Sequence, residues 1–221
     1  MIEVAETGQM HSELERDEVE FCRLLLKTGA LKFGMFRLTS GKLSPYYIDL
    51  RSVPSYPEPF RKVMGLYERL AKQEVGLDKF DRISCVPTSG LLFASILAFN
   101  LSKPILYARK EKKEYGRQRR IEGVMVPGDR VIVVDDLVTT GRSLVDATEA
   151  LRAEGGVVTD ALALIDREEG GRERLSEIGV KLNVFMKISD IAERLYKLGV
   201  IEEERYQEIL TQISSRKECT D

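Results

Sequence analysis

The sequence predicts an α/β protein with a central, mostly parallel sheet flanked by helices and a small hairpin region in front of it. Continuous runs of apolar β-formers at 130–134 and 157–165 have the composition of strands buried on both faces of a sheet. Segments with apolar residues at helical spacing, such as 143–154, alternate with these runs. This alternation is typical of parallel sheets, because each crossover between parallel strands needs the length of a helix.

The same periodicities place each element in chain order. A helix at 14–27 is followed by two short strands within 33–49, joined by the polar turn Ser40-Gly41. Pro57 opens the next helix, whose apolar stripe includes Val63 and Tyr67. The remaining predicted strands are 82–86, 104–108, 130–134, 157–165 and 181–186, and the remaining helices are 89–101, 143–154, 189–198 and 202–213. The highly charged segment 109–123 has no usable periodicity.

The chain is expected to fold as one domain. Residues 1–13 are predicted to be a polar tail and residues 14–221 a single domain. The hairpin region covers about 14–55, the core about 56–200 and a C-terminal helix about 201–215.

Composition excludes several classes of partner. Lysine plus arginine (34) nearly balance aspartate plus glutamate (36), and a net charge of −2 disfavours a nucleic-acid backbone as the main partner. The three cysteines, Cys22, Cys85 and Cys219, lie far apart with no disulfide or zinc spacing, so a cytoplasmic location is expected. No apolar run approaches the ~18 residues of a membrane span, so no membrane partner is expected.

The most informative segment is 131–143, where an apolar strand runs into two acids and then a Thr-Thr-Gly-Arg-Ser loop. In a parallel sheet, ligands bind beyond the carboxyl ends of the strands. The loop opens a predicted helix, whose free N–H groups and dipole favour an anion such as phosphate. Gly141 allows the backbone to approach that anion closely.

The two acids, Asp135 and Asp136, cannot bind phosphate themselves and are better suited to sugar hydroxyls, directly or through Mg²⁺. A purely structural explanation is that the acids and threonines only cap a helix that follows a strand. This would account for two acids and a threonine, but it does not account for the whole pattern of 131–143. The sequence contains neither a G-x-x-x-x-G-K loop nor a G-x-G-x-x-G fingerprint, which disfavours a nucleotide triphosphatase or a dehydrogenase.

The run 131–143 resembles the signature with which type I phosphoribosyltransferases bind 5-phosphoribosyl 1-diphosphate (PRPP). The resemblance implies that 139–143 hold the 5′-phosphate and that Asp135 and Asp136 hold the ribose hydroxyls. It also implies a homodimer in which the charged segment, as a mobile catalytic loop, grips diphosphate partly from the neighbouring subunit. The residues that it implies for PRPP binding are Arg109, Lys110, Lys113, Asp135, Asp136, Leu137, Val138, Thr139, Thr140, Gly141, Arg142 and Ser143.

Two further segments resemble the orotate-specific members of this family. The aromatic segment 33–49 is similar to their N-terminal hood, which implies that Tyr46 and Tyr47 cover the pyrimidine ring. Arg167 follows the 157–165 strand, where an arginine is well placed to hold a carboxylate in a two-pronged hydrogen bond. The resemblance implies that Arg167 and Thr139 contact orotate.

The sequence also departs from that family's pattern. Thr39 stands where some members have a lysine that touches PRPP, and Tyr115 stands where a histidine is frequent. Segment 86–90 is placed like the diphosphate loop of the family, in an unusual version. His11 is the only histidine, so we expect no histidine to act as general acid or base.

The implied reaction is a direct transfer at ribose C1′ to orotate, giving orotidine 5′-monophosphate and diphosphate in pyrimidine biosynthesis. The implied catalytic residues are Lys113, Asp135 and Asp136. Mg²⁺ is the implied cofactor, and we expect substrate oxygens rather than protein side chains to supply most of its ligands.

Two other functions share part of this pattern. A phosphoribosyltransferase for a purine or for uracil would share 135–143 but would not need the carboxylate-reading Arg167. A PRPP-sensing regulator without catalysis would be expected to carry a basic face or an added helix-turn-helix, which the net charge of −2 disfavours.

Replacing the loop lysine tests the implied catalysis. We expect Lys113→Ala to lower kcat by roughly 10²–10³-fold, because the lysine stabilises the negative charge that develops on the leaving diphosphate. Steady-state kinetics with PRPP and orotate measure the effect. Full turnover by this variant would contradict the role of the loop.

Overall fold

The computed structural model describes residues 2–37, 41, 43–109 and 120–217. The helices in this part of the chain are α1 (Ile2–Lys27), α2 (Pro57–Arg69), α3 (Ser89–Asn100), α4 (Arg142–Ala153), α5 (Gly171–Glu177), α6 (Ile188–Lys197) and α7 (Glu203–Lys217). The strands are β1 (Leu31–Arg37), β2 (Leu43–Ile48), β3 (Arg82–Cys85), β4 (Tyr107–Ala108), β5 (Ile121–Glu122), β6 (Arg130–Val134), β7 (Leu137–Val138), β8 (Val157–Asp166) and β9 (Lys181–Lys187). A short 3₁₀ helix (Leu50–Ser55) precedes α2, and a π-helical turn (Leu70–Val75) extends it.

Five strands form one parallel sheet around β8, which confirms the predicted fold class. β6 and then β7 pair with one edge of β8, β9 pairs with its other edge, and β3 lies outside β6. Because all five strands run in the same direction, their carboxyl ends meet at one edge of the sheet. This edge is where a ligand is expected in an open α/β sheet.

Both faces of the sheet are covered, which explains why β6 is a continuous apolar run. Ile132 and Val134 face a large core that includes side chains from α1, α2, α3, α6 and α7. Val131 and Val133 face a smaller core built with α4 and α5. Successive strand residues point to opposite faces, so every residue of such a strand must be apolar.

The hairpin region, which we call the hood (β1 and β2), packs against the C-terminal helix. Phe33 of β1 lies opposite Tyr46 of β2 in the antiparallel pair. The hydroxyl of Ser44, which is fully buried, lies 3.2 Å from the side-chain amide of Gln212 on α7 and donates to the carbonyl of Tyr46 at 2.8 Å. The helix α7 therefore supports β2, the strand that carries Tyr46 and Tyr47.

The structure corrects the sequence predictions at several elements. Segment 2–13, predicted to be a polar tail, continues α1 as helix, and its content of glutamate, alanine and glutamine without proline favours that state. β7 and α5 were not predicted, because each is too short for a periodic pattern. The strand predicted at 104–108 is regular only over β4, with one bridge between Ile105 and Ile83.

β4 and β5 form the base of a hairpin, and the residues between 109 and 120 lie outside the described part of the chain. None of the described helices combines the length and the apolar character needed to cross a bilayer.

Candidate active site

An acid pair, Asp135 and Asp136, occupies the break between β6 and β7. The Asp135 N–H donates to the carbonyl of Leu162 at 3.0 Å, and the Leu164 N–H donates to the carbonyl of Asp136 at 3.0 Å. Both acids are therefore fixed to β8 by their backbones. Their exposed fractions are only 8% and 7%, so the sheet edge holds two carboxylates with little access to water.

Burial raises the pKa of Asp135 well above its ordinary value, and the negative charge of Asp136 raises it further. The Asp136 N–H donates to the Asp135 carboxylate at 2.9 Å and opposes this rise. Two acids in this state repel anions and attract groups that donate hydrogen bonds or carry positive charge. Sugar hydroxyls beside a developing cation fit that requirement.

A loop at 139–141, which we call the cradle, leads from β7 into α4. Gly141 has a φ of +70°, a left-handed conformation that favours glycine, and its carbonyl accepts the Val145 N–H at 3.0 Å. The first N–H groups of α4 have no acceptor within the helix, and they point toward the same side as the loop. Thr140, Arg142 and Ser143 are exposed there, so the loop offers hydroxyl and N–H groups to an anion.

The cradle rests on the start of α5 with almost no space between the two backbones. A Cβ added to Gly171 would lie 2.5 Å from the carbonyl oxygen of Thr139 and 2.5 Å from a methyl of Val138. A Cβ added to Gly141 would lie 2.9 Å from the carbonyl oxygen of Gly171. Glycines at both positions therefore allow a contact that sets the position of the loop.

Arg167 lies beside the cradle because β7 and β8 are in parallel register. Val138 pairs with Asp166, and the Arg167 N–H donates to the carbonyl of Val138 at 2.8 Å. The Arg167 side chain is buried, its guanidinium lies 5.2 Å from the ring centre of Tyr46, and its Nη2 lies 2.9 Å from Oε1 of Glu169. Nη2 is therefore paired with Glu169, whereas Nε makes no hydrogen bond within the described residues.

A buried guanidinium whose Nε–H makes no hydrogen bond within the described residues is suited to a planar anion such as a carboxylate, which would share Nη2 with Glu169. The Tyr46 ring is only 1% exposed and contacts the guanidinium, so this tyrosine holds Arg167. Tyr47 is half-buried and packs on Phe36 with the ring centres 5.6 Å apart. Of the predicted aromatic pair, Tyr47 is the one with surface left for a ligand.

Segment 86–90 reaches the acid pair from β3. A Cβ at Gly90 would lie 2.7 Å from the carbonyl oxygen of Val134 and 3.2 Å from a carboxylate oxygen of Asp135. The start of α3 is thus packed directly on the acid pair.

The structure does not bring every predicted residue together. Arg109 forms an ion pair with Glu122 at 2.9 Å across the base of the β4–β5 hairpin. Lys110, Lys113 and Tyr115, and in the hood Thr39, lie outside the described residues. Within the described residues, no group of three or more His, Cys, Asp or Glu side chains is arranged to hold a metal ion.

Sequence reasoning missed two features of the site. It placed Tyr67 in the apolar stripe of α2, but the Tyr67 hydroxyl donates to the Asp135 carbonyl at 2.6 Å. It gave no role to Gly171, although a glycine pair shortly after a strand signals a close backbone approach. A tyrosine at a core position carries a similar signal, since a buried hydroxyl needs a partner.

Comparison with known proteins agrees with this geometry. Residues 59–196 match the family model described as the phosphoribosyl transferase domain. The chain is 46% identical over 182 residues to the orotate phosphoribosyltransferase of Cenarchaeum symbiosum, covering 82% of this chain and 90% of that protein. It is 40% identical to the one of Staphylothermus marinus, covering 94% and 99%. The crystal structure of orotate phosphoribosyltransferase from Aeropyrum pernix superposes with a TM-score of 0.72 at 37% identity, covering 82% of this chain and 99% of that one.

The raised pKa of Asp135 predicts a pH-dependent stability. An aspartate whose pKa is raised in the folded state favours folding below its unfolded-state pKa of about 4 and disfavours it as the pH rises through the folded-state pKa. We expect Asp135→Asn to stabilise the unliganded protein at pH 7 and to lose this advantage near pH 4. Urea unfolding across that range measures it. Asp146→Asn, at an exposed position of α4, is the control, and an equal response of both variants to pH would contradict the prediction.

The contact between the cradle and α5 predicts that Gly171→Ala displaces the loop. We expect phosphate binding, measured by calorimetry with PRPP, to weaken roughly tenfold or more, because at least one charge-assisted hydrogen bond is lost. Gly65→Ala, at an open helical position of α2, should leave binding unchanged and slightly stabilise the protein. Unchanged PRPP affinity in Gly171→Ala would show that the contact does not position the loop.

Proposed function

The chain belongs to the orotate phosphoribosyltransferases, a branch of the phosphoribosyltransferase family, and we propose that it transfers the phosphoribosyl group of PRPP to orotate at the strand-end site. One observation carries this proposal: the loop at the start of α4, a buried acid pair and a buried arginine whose Nε–H makes no hydrogen bond within the described residues stand side by side. A phosphate, a ribose and a carboxylate are the three groups that this set accommodates.

The cradle and the acid pair would bind the phosphoribosyl group. Residues 139–143 hold the 5′-phosphate through the first N–H groups of α4 and the hydroxyls of the loop. Asp135 and Asp136 accept hydrogen bonds from the ribose hydroxyls. Leu137 and Val138, as β7, keep the loop in register with β8 and contribute backbone contacts.

The base would bind between the hood and the end of β8. Arg167 donates Nε–H and Nη2–H to the carboxylate of orotate, which takes the place of Glu169 beside Nη2 and is a group that purines and uracil lack. Thr139 lies next along the neighbouring strand and contacts the same base. Tyr46 fixes the guanidinium from behind, and Tyr47 covers the pyrimidine ring.

The diphosphate would be held by segment 86–90 and by Arg109, Lys110 and Lys113 of the charged loop. The donor set in the described residues fits Mg²⁺ only as an ion that takes most of its ligands from substrate, since two carboxylates cannot complete an octahedron. When bound, Mg²⁺ neutralises charge on the diphosphate oxygens.

The reaction then proceeds by direct displacement. Orotate reacts with its ring nitrogen deprotonated, the proton having passed to water: the C1′–O bond to diphosphate breaks, the bond from C1′ to the nitrogen forms, and diphosphate leaves with the electron pair of the broken bond. Positive charge develops at C1′ beside Asp135 and Asp136, which stabilise it, while Lys113 stabilises the diphosphate. Positioning and electrostatics supply the catalysis without a covalent enzyme intermediate and without histidine.

The outer face of α3 supports the proposal of a homodimer. Leu92, Ile96 and Phe99 lie on one side of this helix at spacings of four and three residues, and all three are exposed, Phe99 to 83%. Since α3 begins at the acid pair, a second copy docked on this face would lie close to the site. That position is the one needed for a charged loop shared between subunits.

A cytoplasmic location belongs to the same proposal. Cys22 and Cys85 are free, buried thiols, and burial raises the pKa of each to about 12. Thiols in this state are inert and suit a reducing compartment.

The function is tested by following the loss of orotate absorbance in the presence of PRPP and Mg²⁺, with uracil, hypoxanthine and adenine as parallel substrates. We expect orotate alone to be consumed. Arg167→Lys should raise the KM for orotate roughly tenfold to a hundredfold and change the KM for PRPP little, because a lysine cannot form the two-pronged contact. Arg174→Lys on α5 is the control. An unchanged KM for orotate in Arg167→Lys would overturn the role of this arginine.

A further inference from the structure

A tyrosine from α2 lies directly beneath the acid pair. Tyr67 is fully buried, and its hydroxyl donates to the backbone carbonyl of Asp135 at 2.6 Å. The two residues are 68 positions apart in the sequence. The contact therefore exists only because α2 crosses the sheet at the end of β6.

The Asp135 carbonyl needs this donor because the ladder of the sheet does not supply one. The Asp135 N–H bonds to Leu162 on β8, but the next N–H along β8, that of Leu164, bonds to Asp136 instead. On the side of β3, the Val86 N–H bonds to the carbonyl of Val134 at 3.2 Å. The Asp135 carbonyl thus faces the core at the point where β6 is interrupted, and a buried carbonyl without a donor would be strongly disfavoured.

The tyrosine ring is itself fixed by aromatic packing. Its centre lies 5.6 Å from that of Phe93 on α3, and Phe93 in turn lies 5.8 Å from Phe60 at the start of α2. Burial, together with the negative charges of Asp136 and Asp135, raises the pKa of Tyr67 well above its ordinary value. The hydroxyl therefore keeps its proton, and remains a donor, at neutral pH.

We propose that Tyr67 is a positioning residue for catalysis: its hydroxyl holds the Asp135 backbone at the strand break and thereby aims both carboxylates of the acid pair at the ribose. The hydroxyl has no path to the substrate, since Tyr67 has no exposed surface. It acts through Asp135 and Asp136. The inference rests on the proposed role of these acids in binding the ribose and stabilising charge at C1′.

Removing the hydroxyl alone is the direct test. Tyr67→Phe keeps the ring and its packing but leaves the Asp135 carbonyl without a donor, so the backbone at the break has to shift. We expect kcat to fall roughly tenfold or more with at most a twofold change in the KM for orotate, since small displacements of catalytic groups act on the transition state. Tyr196→Phe removes a hydroxyl from an exposed tyrosine of α6 and should leave both constants unchanged.

A double-mutant cycle separates positioning from general destabilisation. If Tyr67 acts through the acid pair, Tyr67→Phe should cost less than twofold in kcat when added to Asp135→Asn, compared with tenfold or more in the native background. The same cost in both backgrounds would overturn the positioning role. Full turnover by Asp135→Asn alone would instead refute the proposed role of the acid pair, and with it this inference.

Thermal unfolding with and without PRPP checks that each variant is folded under the assay conditions. If Tyr67→Phe does not fold, Phe93→Leu takes its place in the cycle, because it frees the Tyr67 ring from one side while the hydroxyl remains. We then expect a lower kcat in the native background and little further loss beside Asp135→Asn. A Phe93→Leu enzyme with lower stability and unchanged kcat would overturn the proposal.

Discussion

The site depends on one interruption in the hydrogen-bond ladder along β8. A single edge of β8 pairs first with β6 and then with β7, and the two residues between these strands are Asp135 and Asp136. The chain resumes its register with β8 after the break. The two acids therefore lie at the sheet edge, and the cradle follows directly after β7. The same register sets Arg167 beside the cradle.

Holding two carboxylates at this position is unfavourable for the unliganded protein. Both are removed from water, and burial together with the negative charge of Asp136 raises the pKa of Asp135. Buried carboxylates with a raised pKa are characteristic of functional sites, where they stabilise a charge that forms only when substrate is bound and reacts. In a phosphoribosyl transfer, that charge is the positive charge that develops at C1′.

Elements far apart in the sequence fix the remaining geometry. The glycine at the start of α5 determines how closely the cradle can approach, and the aromatic cluster of α2 and α3 supports the break from below. The hood is joined to the site through the contact between Tyr46 and Arg167, and α7 supports the hood through Gln212 and Ser44. Residues spread along most of the chain are therefore needed to position a few reacting groups.

The sequence by itself determined the parallel sheet, the strand-acid-loop-helix run of 131–143 and the presence of an arginine after β8, because these depend on periodicity and on local residue order. It did not reveal β7, α5 or the helical state of 2–13, where the segments are short or their polarity masks the pattern. Only the tertiary structure decided that Tyr46 holds Arg167 while Tyr47 stays accessible, and that Tyr67 supports Asp135. The physical reason is that these contacts join residues that are distant in the chain. Whether a side chain is buried, and which hydrogen-bond donor it meets, depends on the element that packs against it, and no local sequence pattern encodes that element.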